Sequence, residues 1–266
     1  MTLSSFLVFI FGVSIGSFLN CVIYWLEKEK RANLGGRSFC PFCGRRLNFF
    51  DLIPVLSFFL LRGKCRYCGA KISWQYPLVE VMTGIVFWQA FRFQPVMAGE
   101  FFLSRFLNLI YLWTVFSILI IVFVYDLKHY LIPTRLVYFG TLAVFLFKIL
   151  DVKIIGSFKP LRAAGLGGLA AGLFFFLIWA ISAGKWLGFG DVNLAFLVGA
   201  FVGPARLFLL LFSAFLIGAI IGLVFVFAGR KEIKSEIPFG PFLVMGTFIA
   251  LFWGEKVAEW YFNLMI

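Results

Sequence analysis

Asp126 and Asp191 hold the residue types best placed to do chemistry. Asp occurs only at positions 51, 126, 151 and 191 of the 266 residues. Asp126 and Asp191 end or open apolar stretches, in Val124-Tyr125-Asp126-Leu127 and Gly188-Phe189-Gly190-Asp191. A carboxylate in hydrocarbon costs about 2.5–3.5 kcal/mol on insertion scales, so two of them at membrane edges suggest a shared task. Two neighbouring carboxylates cannot both ionise cheaply and share one proton. The ionised member can take a proton from water as that water attacks a peptide carbonyl. The protonated member can polarise the carbonyl and later help the amine leave. The chemistry expected is aspartyl proteolysis at the membrane surface, with no metal or nucleophilic side chain.

The neighbours of each aspartate offer a plainer explanation to set beside this one. Asp191 alone would serve as a first-turn acid, favoured by the helix dipole. Asp126 falls at a helix C-terminus, where the dipole disfavours it, and only Lys128 and His129 stand nearby as salt partners. Gly188 and Gly190 lack a Cβ and let a substrate backbone approach Asp191. Glu80, in Tyr76-Pro77-Leu78-Val79-Glu80, opens another apolar stretch, as a favourable first-turn acid or as a contact for a basic leader or a cofactor. The sole histidine, His129, reads as an interfacial charge rather than a base.

A second constellation is Cys40-Pro41-Phe42-Cys43 with Cys65-Arg66-Tyr67-Cys68, each pair followed by glycine. Two such knuckles make a zinc-ribbon pattern in which four thiolates close one tetrahedral site, so the ion, one per chain, is structural. Disulfides or free thiols are the alternatives, and a cytoplasmic location disfavours the first. Cys21 reads as a small buried hydrophobe.

The elements that position these residues are membrane helices. Hydrophobic residues make up 62% of the chain and charged ones 14%, against roughly 45–50% and 25% in soluble domains. The net charge of +12 does not imply nucleic acid, because ten of the 24 Lys and Arg lie between Glu27 and Gln75. A basic loop between spans marks the cytoplasmic side. The first charge is Glu27, so the N-terminus lacks the basic region of a cleaved signal peptide and is expected to be a first span with its N-terminus outside. The fold expected is an all-α polytopic membrane protein of about eight transmembrane helices with a small cytoplasmic zinc-ribbon-like loop domain. The spans run near Leu3–Leu26, Pro77–Phe93, Phe101–Tyr125, Tyr130–Leu150, Ala163–Ala183, Asp191–Val202, Ala205–Ala228 and Gly240–Phe262. The sixth is short and is expected to extend back through Gly188–Gly190 or to sit among protein. Domains are expected at 1–26 (first span), 27–75 (cytoplasmic basic four-cysteine domain) and 76–266 (transmembrane aspartyl peptidase domain). Alternating sides bring Asp126 and Asp191 to one cytoplasmic face. The connection 151–162 is an exception, falling outside yet carrying Lys153, Lys159 and Arg162. Small residues such as Gly168 and Gly172 in the fifth span predict close helix packing.

The combined motifs resemble the bacterial type IV prepilin peptidases, also called leader peptidase/N-methyltransferases. Gly16-Ser17-Phe18-Leu19-Asn20, the two cysteine pairs around Asp51-Leu52-Ile53-Pro54-Val55-Leu56-Ser57, and Tyr76–Glu80 are similar to that family's first half. Asp126 with Ile132-Pro133, Gly188–Asp191, and Pro238-Phe239-Gly240-Pro241-Phe242 are similar to its second. The family commonly carries Lys two residues after the second aspartate, where this chain has Asn193. The resemblance implies cleavage of prepilins or pseudopilins after a glycine that ends a basic leader, at the cytoplasmic face of the bacterial inner membrane. It also implies methylation of the new amine by S-adenosylmethionine, with 27–75 the expected methyltransferase region. The residues that bind S-adenosylmethionine remain unassigned, as does the oligomeric state. Beyond lipid, no nucleic-acid partner is expected. A general intramembrane aspartyl protease of the presenilin or signal-peptide-peptidase kind leaves the cysteine loop unexplained and lacks that family's Pro-Ala-Leu. A transporter with a zinc module would need charges deeper in its spans or inverted repeats.

Overall fold

The computed structural model describes residues 3–27, 38–93, 102–228 and 237–265. Basic residues Lys28, Lys30, Arg31, Arg37, Arg230, Lys231 and Lys234, and the span boundary at Phe101, lie outside the described residues. Among the described residues regular structure is helical: α1 (Leu3–Glu27), a short α2 (Leu56–Leu60), α3 (Gln75–Phe93), α4 (Phe102–His129), α5 (Thr134–Ile155), α6 (Lys159–Ile181), α7 (Phe189–Val202), α8 (Pro204–Phe227) and α9 (Gly240–Met265). Strand-like pairing there is limited to two isolated antiparallel bridges, Phe39 with Arg46 and Lys64 with Lys71. Four helices are long and apolar enough to cross a bilayer: α1, α4, α6 and α8. Helices also occupy the other four stretches read as spans. Of these, α5 and α9 carry several charges, such as Lys148, Asp151, Glu255 and Lys256, and α7 is only 14 residues long.

The chain forms two compact units, 1–121 and 122–266. In the first, α1 and α3 pack antiparallel along a seam of small and polar residues. A Cβ on Gly12 would lie 2.9 Å from the Gly84 Cα, and one on Gly16 would lie 2.7 Å from the Glu80 Cα. One helical turn further on, Asn20 Nδ2 donates to the Tyr76 carbonyl at 3.1 Å. Glycine at this spacing lets the two backbones touch. The Trp113 indole stacks on Phe87 at 5.0 Å, with the planes 2° apart, and its N–H donates to the Phe87 carbonyl.

In the second unit α7 is enclosed. Val192, Leu194, Ala195, Leu197, Val198, Ala200 and Phe201 are all buried, and α5, α6, α8 and α9 pack around it. At 1.5 Å per residue its 14 residues reach only about 21 Å. That falls short of the roughly 30 Å hydrocarbon core, as a helix surrounded by protein can afford to. Its tightest neighbour is α6. A Cβ on Gly167 would collide with the Gly199 carbonyl oxygen, and one on Gly199 with that of Gly167. Gly168 and Gly172 face Phe196 instead, so the closest approach centres one residue from the GxxxG pair.

Candidate active site and metal centre

Asp126 stands in the last turn of α4, where local geometry ends the helix sharply. Tyr130 adopts φ +57° and its N–H closes the turn on the Asp126 carbonyl at 2.9 Å. Pro133, which has no N–H to donate, then starts α5. The Asp126 side chain is 3% exposed. The Gly240 N–H, at the first residue of α9, donates to its carboxylate. An acid at the unfavourable end of its own helix thus meets the favourable end of another. Gly240 has to be glycine for this: a Cβ there would lie 2.5 Å from Asp126 Oδ2.

Asp191 stands in the first turn of α7 and is also buried. Its Oδ2 accepts the Gly188 N–H at 3.1 Å, and its own N–H donates to the Gly188 carbonyl at 3.1 Å. This is a capping arrangement, so the plain first-turn role is real for one oxygen of Asp191. The two aspartates therefore share a design, in which one oxygen is held by a backbone amide at a helix N-terminus. The other oxygens, Asp126 Oδ2 and Asp191 Oδ1, are buried and have no hydrogen-bond partner among the described residues. Buried acceptors are normally satisfied. The Asp126 charge reaches Asp191 electrostatically. Ile132 lies between the two helix starts: a Cβ on Gly190 would be 3.0 Å from its Cβ, and one on Gly240 would be 3.3 Å from its Cδ1.

Other residues singled out in the sequence fall as follows. Gly188 has an extended backbone (φ −74°, ψ 152°), and a Cβ there would meet Asp191 Oδ2 at an ordinary 3.5 Å. The fold itself thus has room for a side chain at 188, unlike at 240. Asn193 is half-buried on α7. His129 is exposed, with its ring 4.6 Å from that of Tyr125. Glu80 is buried in the first unit, where its Oε2 accepts the Val55 N–H at 2.7 Å. Val55 has φ +63°, a region a β-branched residue rarely enters, so Glu80 pins a strained turn to α3. Ile132 and Gly240 stood out in the sequence only within the motifs Ile132-Pro133 and Pro238–Phe242 of the resemblance, which did not announce their contacts.

The four cysteines converge. The sulfurs of Cys40, Cys43, Cys65 and Cys68 all lie within 4.8 Å of one another, and the Cys40 and Cys68 sulfurs are 3.9 Å apart. Tetrahedral Zn–S bonds of about 2.3 Å would set sulfurs roughly 3.8 Å apart, so the set fits such an ion. The two knuckles repeat one geometry. Gly44 N–H donates to Cys40 O and Gly69 N–H to Cys65 O, both at 2.9 Å, with φ +69° at each glycine. Each knuckle is closed by one of the two isolated bridges. All five cysteines are free thiols. The Cys68 thiol stands at about 11: its hydrogen bond with the Ala70 backbone lowers it, while desolvation and the crowding of Cys65, Cys43 and Cys40 raise it. A cation would relieve that crowding and displace the protons. Asp51 braces the module, taking Arg66 Nε at 2.7 Å and the Asn48 N–H at 3.1 Å.

Residues 10–93 match the bacterial peptidase A24 N-terminal domain, and residues 113–223 match the type IV leader peptidase family. The chain is 33% identical over 263 residues to the prepilin leader peptidase/N-methyltransferase of Bacillus subtilis strain 168, covering 98% of each. It is 32% identical over 288 residues to the protein of that name from Aeromonas salmonicida strain A449, covering 98% of this chain and 94% of the relative. For the Legionella pneumophila protein of that name the identity is 32% over 281 residues, covering 95% and 92%. No solved structure matches the chain.

Proposed function

The chain belongs to the type IV leader peptidase family, and on that footing we propose that it removes the basic leader of type IV prepilins or pseudopilins and then methylates the new N-terminus. Asp126 and Asp191 are the catalytic pair. One carboxylate, ionised, takes a proton from a water whose oxygen attacks the scissile carbonyl carbon. The other, protonated, hydrogen-bonds the carbonyl oxygen as negative charge develops there. Collapse of the tetrahedral species breaks the C–N bond, and a proton passes to the departing amine. The observation that carries this reading is the matched pair of anchored carboxylates, each with its second oxygen buried and unpartnered. Anchoring one oxygen fixes the position of the other, which is what a preorganised acid–base pair requires.

The substrate backbone runs past Gly188 and Gly190, and Glu80 is a contact for the basic leader or the cofactor. The protein crosses the bacterial inner membrane eight times with its N-terminus outside and the site at the cytoplasmic face. Residues 27–75 form the methyltransferase region, held by one structural zinc on Cys40, Cys43, Cys65 and Cys68. S-adenosylmethionine would supply the methyl group, and its transfer to the freed amine would break the sulfonium S–C bond, leaving S-adenosylhomocysteine and a proton. The test is to incubate the purified enzyme with a prepilin and methyl-labelled S-adenosylmethionine. The result expected is leader release after glycine with label on the mature N-terminus. Release without label removes the methyl-transfer half of the reading, and neither product overturns it whole.

A further inference from the structure

Residues 38–74 expose much large apolar surface for a segment between helices. Phe49, Phe50, Leu56, Phe59, Leu60 and Trp74 are each more than half exposed. Leu56, Phe59 and Leu60 stand at i, i+3 and i+4 of α2 and so share a face. The Trp74 ring lies 6.3 Å from that of Phe59, extending the face. Clustered exposed apolar residues of this kind mark an interaction surface.

Two further observations identify what meets it. The first is placement. Gly12 packs on Gly84, Gly16 on Glu80 and Asn20 on Tyr76, and this antiparallel register brings Trp74 level with the last turns of α1. At the same level the rings of Tyr24 and Phe39 meet edge to face at 6.0 Å. Because α1 is long and apolar enough to cross a bilayer, both ends of the segment leave from a membrane edge. The second is charge. Residues 38–74 carry six basic residues, Arg45, Arg46, Arg62, Lys64, Arg66 and Lys71, against one acid, Asp51, which Arg66 already occupies. Lys64 and Lys71 are bridged side by side, two residues beyond Arg62, and all three are exposed.

We propose that the α2 face and Trp74 insert into the headgroup region of an anionic lipid bilayer, with Arg62, Lys64 and Lys71 on the headgroup phosphates. Aromatic rings favour that depth, and basic side chains beside a buried apolar face bind anionic leaflets. The four-cysteine module is then a membrane-surface element. The inference rests on α1 being a span and not on the peptidase reading, and its test reads lipid contact rather than cleavage.

The experiment places a benzophenone amino acid at Leu56 or Leu60 of the full chain. The protein is reconstituted in nanodiscs of phosphatidylcholine alone or with phosphatidylglycerol and illuminated. Lipid adducts are expected at both positions, and more with phosphatidylglycerol. Neutralising Arg62→Gln, Lys64→Gln or Lys71→Gln should lower the inserted-to-free ratio about fivefold each, with metal content reporting that the module is still folded. As a second measurement, a fluorescent side chain at Leu56 should be quenched by acyl chains brominated near the headgroup. Adducts only to protein, or lipid adducts indifferent to phosphatidylglycerol and to the three neutralisations, would overturn the proposal.

Discussion

Gly240→Ala should disable catalysis while leaving the fold almost intact. The new Cβ would lie 2.5 Å from Asp126 Oδ2, whereas an ordinary contact needs at least 3.4 Å. The carboxylate therefore has to retreat by about 0.9 Å, and a misplacement of about 1 Å at a reacting group costs roughly 10²-fold in rate. That corresponds to about 2.7 kcal/mol of transition-state stabilisation. The atom that gives way is the end of a side chain rather than backbone, so folding should be little affected. The assay is single-turnover cleavage of a prepilin by the full-length variant in nanodiscs, with its thermal midpoint measured in parallel. The expected result is a rate constant down about a hundredfold, with KM and midpoint near wild type. A variant cleaving at the wild-type rate would refute the reasoning that the Gly240 contact positions Asp126.

Four more outcomes follow from the same geometry. Gly188→Ala fits the chain's own structure, with its Cβ at 3.5 Å from Asp191 Oδ2, so a raised KM with an unshifted thermal midpoint would report the substrate backbone there. Changing Cys40, Cys43, Cys65 and Cys68 to Ser should abolish a stoichiometry of one zinc per chain, read by elemental analysis. Gly199→Ala drives a Cβ into the Gly167 carbonyl on α6 and should destabilise the second unit by about 1–3 kcal/mol, lowering the thermal midpoint. Glu80→Ala removes the acceptor of the half-buried Val55 N–H, at a cost of about 0.5–1.5 kcal/mol, the ordinary net worth of a hydrogen bond. Faster hydrogen exchange at Val55, reversed in Glu80→Gln, is the readout.

The helices were legible because charge and proline punctuate long apolar runs. Glu27, Pro77, Pro133 and Pro204 each fall near a helix boundary. The metal set was legible from spacing alone, since a knuckle is a local structure closed by its own glycine. Asp126 and Asp191 were legible as oddities, charges in an apolar chain. The capping role of Asp191 was legible too, but the anchoring of Asp126 was not, because its partner is a backbone amide more than a hundred residues away, and any residue but proline could supply one. The need for glycine at 240 follows from a contact across helices rather than from a turn. Glu80 likewise looked like a first-turn acid, and its bond to Val55 depends on a positive φ that nothing in Pro54-Val55-Leu56 announces. Close packing at α6 was foreseen from the small residues, but its partner α7 and the register, Gly167 on Gly199 rather than through Gly168 and Gly172, are set by how α7 fits among its neighbours.

The most direct test of the central claim is prepilin cleavage by Asp126→Asn and Asp191→Asn, each purified in nanodiscs and shown to be folded by its thermal midpoint. The amide keeps the size of the carboxylate and an oxygen for the Gly240 or Gly188 amide, but it cannot accept or deliver the catalytic proton. Both variants should be inactive, each alone as fully as the two combined. Leader release at the wild-type rate by either would contradict the account.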